Sequence, residues 1–202
     1  MKRIAFLALA LSFVITAIAF AQSQPLLIDD FEGAISGGPE GTVDYGAGNG
    51  SSVELTASTD IKYSGKQSIK VTFDAIQNGY MWIARGFGLD VKNAGWLVKP
   101  EDIKWNDYNA ISFYMYGSDS KTQVAFDIKD KGNEIWRFMT EDNFTGWKQI
   151  VCPFKDFVAR DDWQPDNADK NGVLDFPIKS YQFEPRPEAK GTLYFDQVEL
   201  KP

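Results

Sequence analysis

The chain contains no histidine and a single cysteine, Cys152, among its 202 residues. Histidine is the commonest general base, the usual activator of a serine or cysteine nucleophile and a frequent zinc ligand, so its absence excludes most hydrolytic triads and most zinc sites. One cysteine cannot form an internal disulfide. Because Cys152 shares a strand face with Ile150 and Phe154, we predict a buried apolar residue there, and not a reactive thiol.

Basic residues are also few. The chain has 21 Lys and Arg against 28 Asp and Glu, which gives a net charge of -7 and argues against nucleic acid or an anionic membrane surface as a partner.

No nucleophile elbow, phosphate loop or dinucleotide fingerprint follows a strand. Asp127, Glu134 and Asp162 would be candidates for a glycosidase pair, but their spacing singles out none of them. A small glycoside hydrolase is therefore the weaker alternative.

The first residues resemble an export signal. Two basic residues precede an apolar run that ends at Phe20, and a small-x-small cleavage site covers residues 19–21. We therefore predict a signal peptide over residues 1–21, one domain over residues 22–202, and a secreted or periplasmic location. The apolar run borders on the length of a membrane span, so a membrane is a partner only if the segment stays uncleaved.

The remaining chain is dominated by strand patterns. Amphipathic helical spacing is nearly absent, with a helical turn expected only at residues 99–103 and 155–157, and residues 33–52 predict a long loop. Short strands without strand–helix alternation predict an all-β fold, a two-sheet antiparallel β-sandwich or jelly roll. The predicted strands cover residues 68–73, 80–85, 110–116, 122–129, 134–140, 147–154, 179–184 and 192–200.

Two of these strands carry aromatic residues on the side that faces away from the core. Tyr80 and Trp82 alternate with aliphatic residues, and so do Tyr114 and Tyr116 with apolar ones. We expect these four rings to share one outer face. Flat rings with polar groups suit a sugar, whose C–H faces stack on aromatic planes while its hydroxyls take hydrogen bonds.

A polar loop is predicted after the strand at residues 147–154. Arg160, Asp161, Asp162, Trp163 and Gln164 place a guanidinium, two acids, an indole and an amide in succession. This composition fits a rim loop that grasps a polyol, and it also fits an ordinary solvated turn. The sequence leaves both readings open.

Acidic residues occur at both ends of the domain, in residues 29–32 and at Asp196. If the terminal strands pair, these acids repel each other unless a cation or a lysine lies between them. Calcium accepts six to eight oxygen ligands in irregular cages. We therefore expect structural Ca²⁺, with Glu32, Asp196 and Asp30 as candidate side-chain ligands.

Five segments together resemble a family 11 carbohydrate-binding module, and the likeness runs over nearly all of residues 26–202. They are LIDDFEG at 27–33, NGY at 78–80, WNDYNAISF at 105–113, GWKQIVCPF at 146–154 and LYFDQVEL at 193–200.

The resemblance implies a jelly roll with bound calcium that holds one β-1,4 or mixed-linkage β-1,3-1,4 glucan chain in a cleft. The family's cleft tyrosine corresponds to Tyr80, and its Arg-x-Asp-Tyr-Gln-Pro loop to residues 160–165, where Trp163 replaces the tyrosine and keeps a stacking plane. A second binding tyrosine corresponds to Pro185, and a neighbouring polar residue to Gln182. Such modules usually accompany a large glucanase, so the export signal next to the module favours a free-standing binder or a component of a surface complex.

The prediction is thus an exported, non-catalytic β-sandwich that binds a polysaccharide or oligosaccharide. Two alternatives stay open beside it: a protein-interaction or structural β-sandwich of an exported complex, and the small hydrolase. The predicted cleft residues are Tyr80, Trp82, Tyr114, Tyr116, Asp127, Arg160, Asp162, Trp163 and Gln182.

Overall fold

A computed structural model describes residues 23–202, so the predicted signal peptide lies outside the described residues. Within these residues, three 3₁₀ helices, Pro100–Asp102, Trp105–Asp107 and Phe154–Asp156, are the only helical elements, and all other elements are strands. The described strands are β1 (Leu26–Asp29), β2 (Asp44–Gly48), β3 (Ser52–Ser58), β4 (Ser68–Ala75), β5 (Tyr80–Gly86), β6 (Ala110–Ser118), β7 (Gln123–Lys129), β8 (Ile135–Glu141), β9 (Thr145–Pro153), β10 (Val158–Ala159), β11 (Ser180–Pro185) and β12 (Ala189–Lys201).

The strands form two antiparallel sheets. The back sheet has the order β3-β4-β12-β6-β9, with β1 paired to β12, and the front sheet has the order β10-β8-β7-β11-β5-β2. The two-sheet antiparallel sandwich predicted from alternation is thereby confirmed. Among residues 23–202, no helix has the length and apolarity needed to cross a bilayer.

The core lies between the two sheets and is filled by alternate residues of each strand. Phe113 and Phe126 meet across it with ring centroids 4.7 Å apart, and Phe183 stacks on Phe195 at 4.0 Å. Cys152 is fully buried, as predicted, and burial raises the pKa of its thiol well above the usual value. The inward apolar residues of β4 to β7 are Ile69, Val71, Phe73, Met81, Ile83, Ile111, Phe113, Met115, Val124, Phe126 and Ile128.

The prediction of a long loop over residues 33–52 is wrong for residues 44–48, because β2 forms there and pairs with β5. Glycine is depleted in strands, and β2 contains Gly46 and Gly48, so the sequence lacks the alternation of apolar residues that predicts a strand. Tyr45, between these glycines and Asp44, packs against the core.

The prediction that Tyr114 and Tyr116 share a face with Tyr80 and Trp82 is also wrong. The first pair lies on β6 in the back sheet and the second on β5 in the front sheet, so the two pairs face away from each other. Alternation assigns a residue to one side of its strand, but it does not say which sheet the strand joins.

Candidate functional site

An open groove of about 670 Å³ crosses the outer face of the front sheet. Along its middle, the lining residues Asp44, Ala84, Gln182 and Asp127 stand opposite one another in register on β2, β5, β11 and β7, and Arg137 on β8 lies opposite Asp127. Neighbouring strands are about 4.8 Å apart, so the row from Asp44 to Asp127 is roughly 14 Å long. The groove can therefore hold an elongated ligand that runs across the strands.

Asp127 lies at the centre of the floor and is 1% exposed. Its Oδ1 accepts a hydrogen bond from Arg137 Nε at 2.7 Å, and its Oδ2 accepts one from the second Arg137 nitrogen at 2.8 Å. The same Oδ2 accepts hydrogen bonds from Arg160 at 3.2 Å and from Gln182 Nε2 at 3.1 Å. One buried carboxylate thus fixes three polar side chains of the floor.

Arg137 links Asp127 to a second buried carboxylate, Glu184, with which it forms an ion pair. Arg186 donates to the other Glu184 oxygen at 2.5 Å. Burial raises the pKa of Glu184 above its ordinary value, although the charges of Arg137 and Arg186 oppose the shift. Burial acts to lower the pKa of Arg137, but hydrogen bonding to Asp127 and the charges of the two acids outweigh it and raise the pKa.

The loop after β10 forms one rim of the groove. Arg160 holds Asp162 through two hydrogen bonds of 2.9 Å, which lower the pKa of that carboxyl to about 2. The Arg160 guanidinium also lies 5.7 Å from the Trp163 ring centroid, and Trp163 is 57% exposed. Gln164 fastens the loop to β8, since its side chain accepts from and donates to the main chain of Ile135.

Tyr80 and Trp82 lie on β5 near the other edge of the sheet. Their planes are within 18° of each other, with ring centroids 6.2 Å apart. Tyr80 is 51% exposed, and the Trp82 indole N–H donates to Asp44 at 2.9 Å. Aromatic faces are therefore open to solvent near both edges of the groove.

Seven of the predicted cleft residues line or floor this groove, whereas Tyr114 and Tyr116 do not. Sequence reasoning missed Glu184, which lines the groove, and Arg137, which pairs with both Asp127 and Glu184. Glu184 is two residues from Gln182 on β11, so strand alternation alone would have placed it on the same face. The seven are Tyr80, Trp82, Asp127, Arg160, Asp162, Trp163 and Gln182.

The back sheet carries its own aromatic cluster on its outer face. Tyr114 is covered by Tyr63, whose ring stacks on it with centroids 3.5 Å apart. Tyr116 meets Trp147 and Tyr194 edge to face, at 5.5 Å and 5.8 Å. These rings pack against one another, so they do not present a row of open faces.

The sequence profile of the carbohydrate binding domain family 11 matches residues 17–201. The chain belongs to this family. Its resemblance to family 11 modules is thereby confirmed, and so is its character as a non-catalytic binding module, since this family binds and does not cleave.

Individual relatives agree with the family match. Endoglucanase H of Acetivibrio thermocellus is 29% identical over 185 residues, which are 86% of this chain and 18% of the enzyme, so the chain spans under a fifth of that relative. The family 11 module from Clostridium thermocellum in complex with a β-1,3-1,4-mixed-linked tetrasaccharide is similar at a TM-score of 0.69 and 23% identity, over 88% of this chain and 95% of that one. The module of the cellulosomal cellulase Lic26A-Cel5E from the same organism gives 0.66 and 22%, over 88% and 94%. These structures share the fold.

The family 11 resemblance also implied calcium, and two of the expected ligands converge. Asp196 accepts main-chain hydrogen bonds from Tyr63 and Ser64, and Glu32 accepts one from Lys66. Burial raises the pKa of Asp196, and the negative charge of Glu32 adds to the shift. Two neighbouring carboxylates, one of them buried, would attract a cation, although main-chain N–H groups already occupy oxygens of both. Asp30 instead accepts the main-chain N–H of Glu32. Within residues 23–202, no three acidic or thiol side chains form a metal cluster, so main-chain oxygens would have to supply most of the ligands.

Proposed function

We propose that the groove binds one chain of a neutral β-glucan, with β-1,4 or mixed β-1,3-1,4 linkages. The observation that carries the proposal is the convergence of three aromatic side chains, Tyr80, Trp82 and Trp163, with several hydrogen-bonding groups on one open groove. Aromatic planes cover the apolar C–H faces of sugars, and carboxylates, amides and guanidinium groups bind the hydroxyls.

Family membership supports a carbohydrate as the ligand. The tetrasaccharide bound to the similar module supports a β-glucan in particular. The groove is open at both rims and long compared with one sugar ring, which favours a chain over a monosaccharide. The signal-like residues at the start of the sequence, and the cellulosomal origin of the similar Lic26A-Cel5E module, support an extracytoplasmic location.

Trp163→Ala and Tyr80→Ala test the proposal, with soluble mixed-linkage glucan in affinity electrophoresis or calorimetry. Each ring contributes about 1 kcal/mol beyond the area that it covers, so each variant should bind roughly five- to tenfold more weakly. Tyr116→Ala is the matched control, since it removes a partly buried tyrosine from the back sheet. Equal affinity in both groove variants, or a loss only in the control, would count against the groove.

We also propose that Ca²⁺ binds beside Glu32 and Asp196 and has a structural role. Calcium should raise the melting temperature of the wild type, because it relieves the repulsion between the two carboxylates. Asp196→Asn keeps the size and an acceptor oxygen of the side chain but removes its charge, and should abolish most of this response. An identical calcium response in both proteins would exclude this position.

A further inference from the structure

The rim loop of the groove, residues 160–164, begins and ends on the same residue of β8. Directly after β10, the main-chain N–H of Arg160 donates to the carbonyl oxygen of Ile135 at 2.9 Å. Four residues later, Nε2 of Gln164 donates to the same oxygen at 2.9 Å, and Oε1 of Gln164 accepts the N–H of Ile135 at 2.7 Å. Both ends of the rim loop are therefore tied to Ile135.

The side-chain amide of Gln164 takes the place of a strand residue at this edge of the front sheet. The two residues of β10 pair with Trp136 and Arg137, so the ladder stops before Ile135. An amide offers the acceptor and the donor that a neighbouring peptide group would offer. The amide of Gln164 also donates to the carbonyl oxygen of Arg160 at 3.0 Å, which closes the loop across its own ends.

The closed loop carries Trp163, the residue immediately before Gln164. Trp163 lines the groove and is 57% exposed, so packing alone does little to restrain its ring. Among residues 23–202, no hydrogen bond joins the main chain of residues 161–164 to another main-chain group. Arg160 and Asp162 are held by their own ion pair, and Arg160 also by Asp127. The main chain next to Trp163 is held by the amide of Gln164.

We propose that Gln164 is a positioning residue for ligand binding, because its amide fixes the end of the rim loop that carries Trp163. Its oxygen and its nitrogen have partners within the protein, so it acts on a ligand through the loop. Without the amide, Trp163 has to be ordered when the ligand binds, and such ordering lowers affinity. The inference rests on the proposed function and names a residue that supports the groove from outside its lining.

Calorimetry of Gln164→Ala with soluble mixed-linkage glucan tests the inference. Loss of the amide should weaken the affinity roughly two- to tenfold, the effect of ordering one side chain on binding. Gln149→Ala is the matched control. Gln149 is likewise half-buried and its Nε2 donates to Ser112 and Glu199, but it lies on the back sheet, so this variant should keep the wild-type affinity.

A double-mutant cycle determines whether Gln164 acts through Trp163. In a Trp163→Ala background, Gln164→Ala should change the affinity by less than about twofold, because the ring that it positions is gone. In a Tyr80→Ala background it should keep its full effect, since β5 lies three strands from β8, roughly 14 Å away, and distant sites act independently. A residue that only stabilises the fold would weaken binding equally in both backgrounds.

The results distinguish failure of the positioning role from failure of the function. If the wild type binds no glucan, both fail. If the wild type binds glucan, but Gln164→Ala binds it equally well or weakens binding by the same factor in both backgrounds, the groove still binds glucan and the positioning role is overturned. An equal loss in Gln149→Ala would overturn it too. Melting temperatures check folding, and Gln164→Glu, which keeps the acceptor for the Ile135 N–H but loses the donated bonds, replaces Gln164→Ala if that variant does not fold.

Discussion

Arg137 joins two buried carboxylates, and its removal should cost more stability than that of any exposed ion pair of the protein. In Arg137→Ala, Asp127 and Glu184, which are 1% and 3% exposed, lose their shared cation. Breaking a buried pair by removing one partner costs about 3 to 5 kcal/mol. Arg160 and Gln182 still donate to Asp127, so we expect the lower end of that range, about 3 kcal/mol.

Urea denaturation of Arg137→Ala measures this loss directly. For a domain of this size, 1 kcal/mol corresponds to roughly 2 to 4 °C, so the melting temperature should fall by roughly 6 to 12 °C. The double variant Arg137→Ala with Asp127→Ala should be more stable than the sum of the two single changes predicts, because the second change removes a buried charge that the first left with one cation fewer.

The matched control is Lys92→Ala. Lys92 pairs with Glu40 at 3.0 Å, but both side chains are at least 70% exposed, so the loss should be close to the error of the measurement. If Arg137→Ala were no less stable than Lys92→Ala, or if the double variant were strictly additive, the floor would not be held together by this network.

Four further results are expected. Trp147→Ala, on the back sheet, should leave glucan affinity unchanged in calorimetry. Glu184→Gln should flatten the pH dependence of the free energy of unfolding. Burial raises the pKa of Glu184, so the stabilisation linked to its protonation is fully present below the ordinary pKa of 4.5 and is lost as the pH rises through the raised pKa. Over that pH window, urea titrations should show the wild type losing stability relative to the variant. Cys152 should react with a thiol reagent only after denaturation, since it is fully buried. Affinity for a neutral glucan should not change with salt, because no ion pair joins protein and ligand; a steep salt dependence would indicate an anionic ligand instead.

The strands of the sandwich could be predicted from the sequence because alternation is a local property. In β4 to β7 every second residue is apolar, and those residues are the core. The sheet that each strand joins could not be predicted, since pairing depends on contacts far apart in the chain. β6 pairs with β9 and β12, which puts Tyr114 and Tyr116 behind the core instead of beside Tyr80.

The groove could be predicted only in part for a similar reason. The loop residues Arg160 to Trp163 follow one another in sequence, so their chemistry was visible as a run. Arg137 and Glu184 each have uncharged residues on both sides in the sequence, and they resemble ordinary exposed charges of a strand. Their role depends on register, which sets Arg137 opposite Asp127 and brings Glu184 within reach of the same guanidinium.

The side chains that are hydrogen-bonded to Asp127 differ in what they can offer a ligand in the groove. Three hydrogen bonds, from Arg137, Arg160 and Gln182, converge on Oδ2 of Asp127, and a fourth, from Arg137, reaches Oδ1. Oδ1 keeps one acceptor site, but the side chain is only 1% exposed, so a sugar hydroxyl has little access to it. Gln182 keeps its carbonyl oxygen and one N–H, and Asp162, whose side chain is 47% exposed, keeps free lone pairs. Hydroxyl recognition thus falls to the groups that Asp127 positions, and the buried acid acts as the anchor that sets where those groups point.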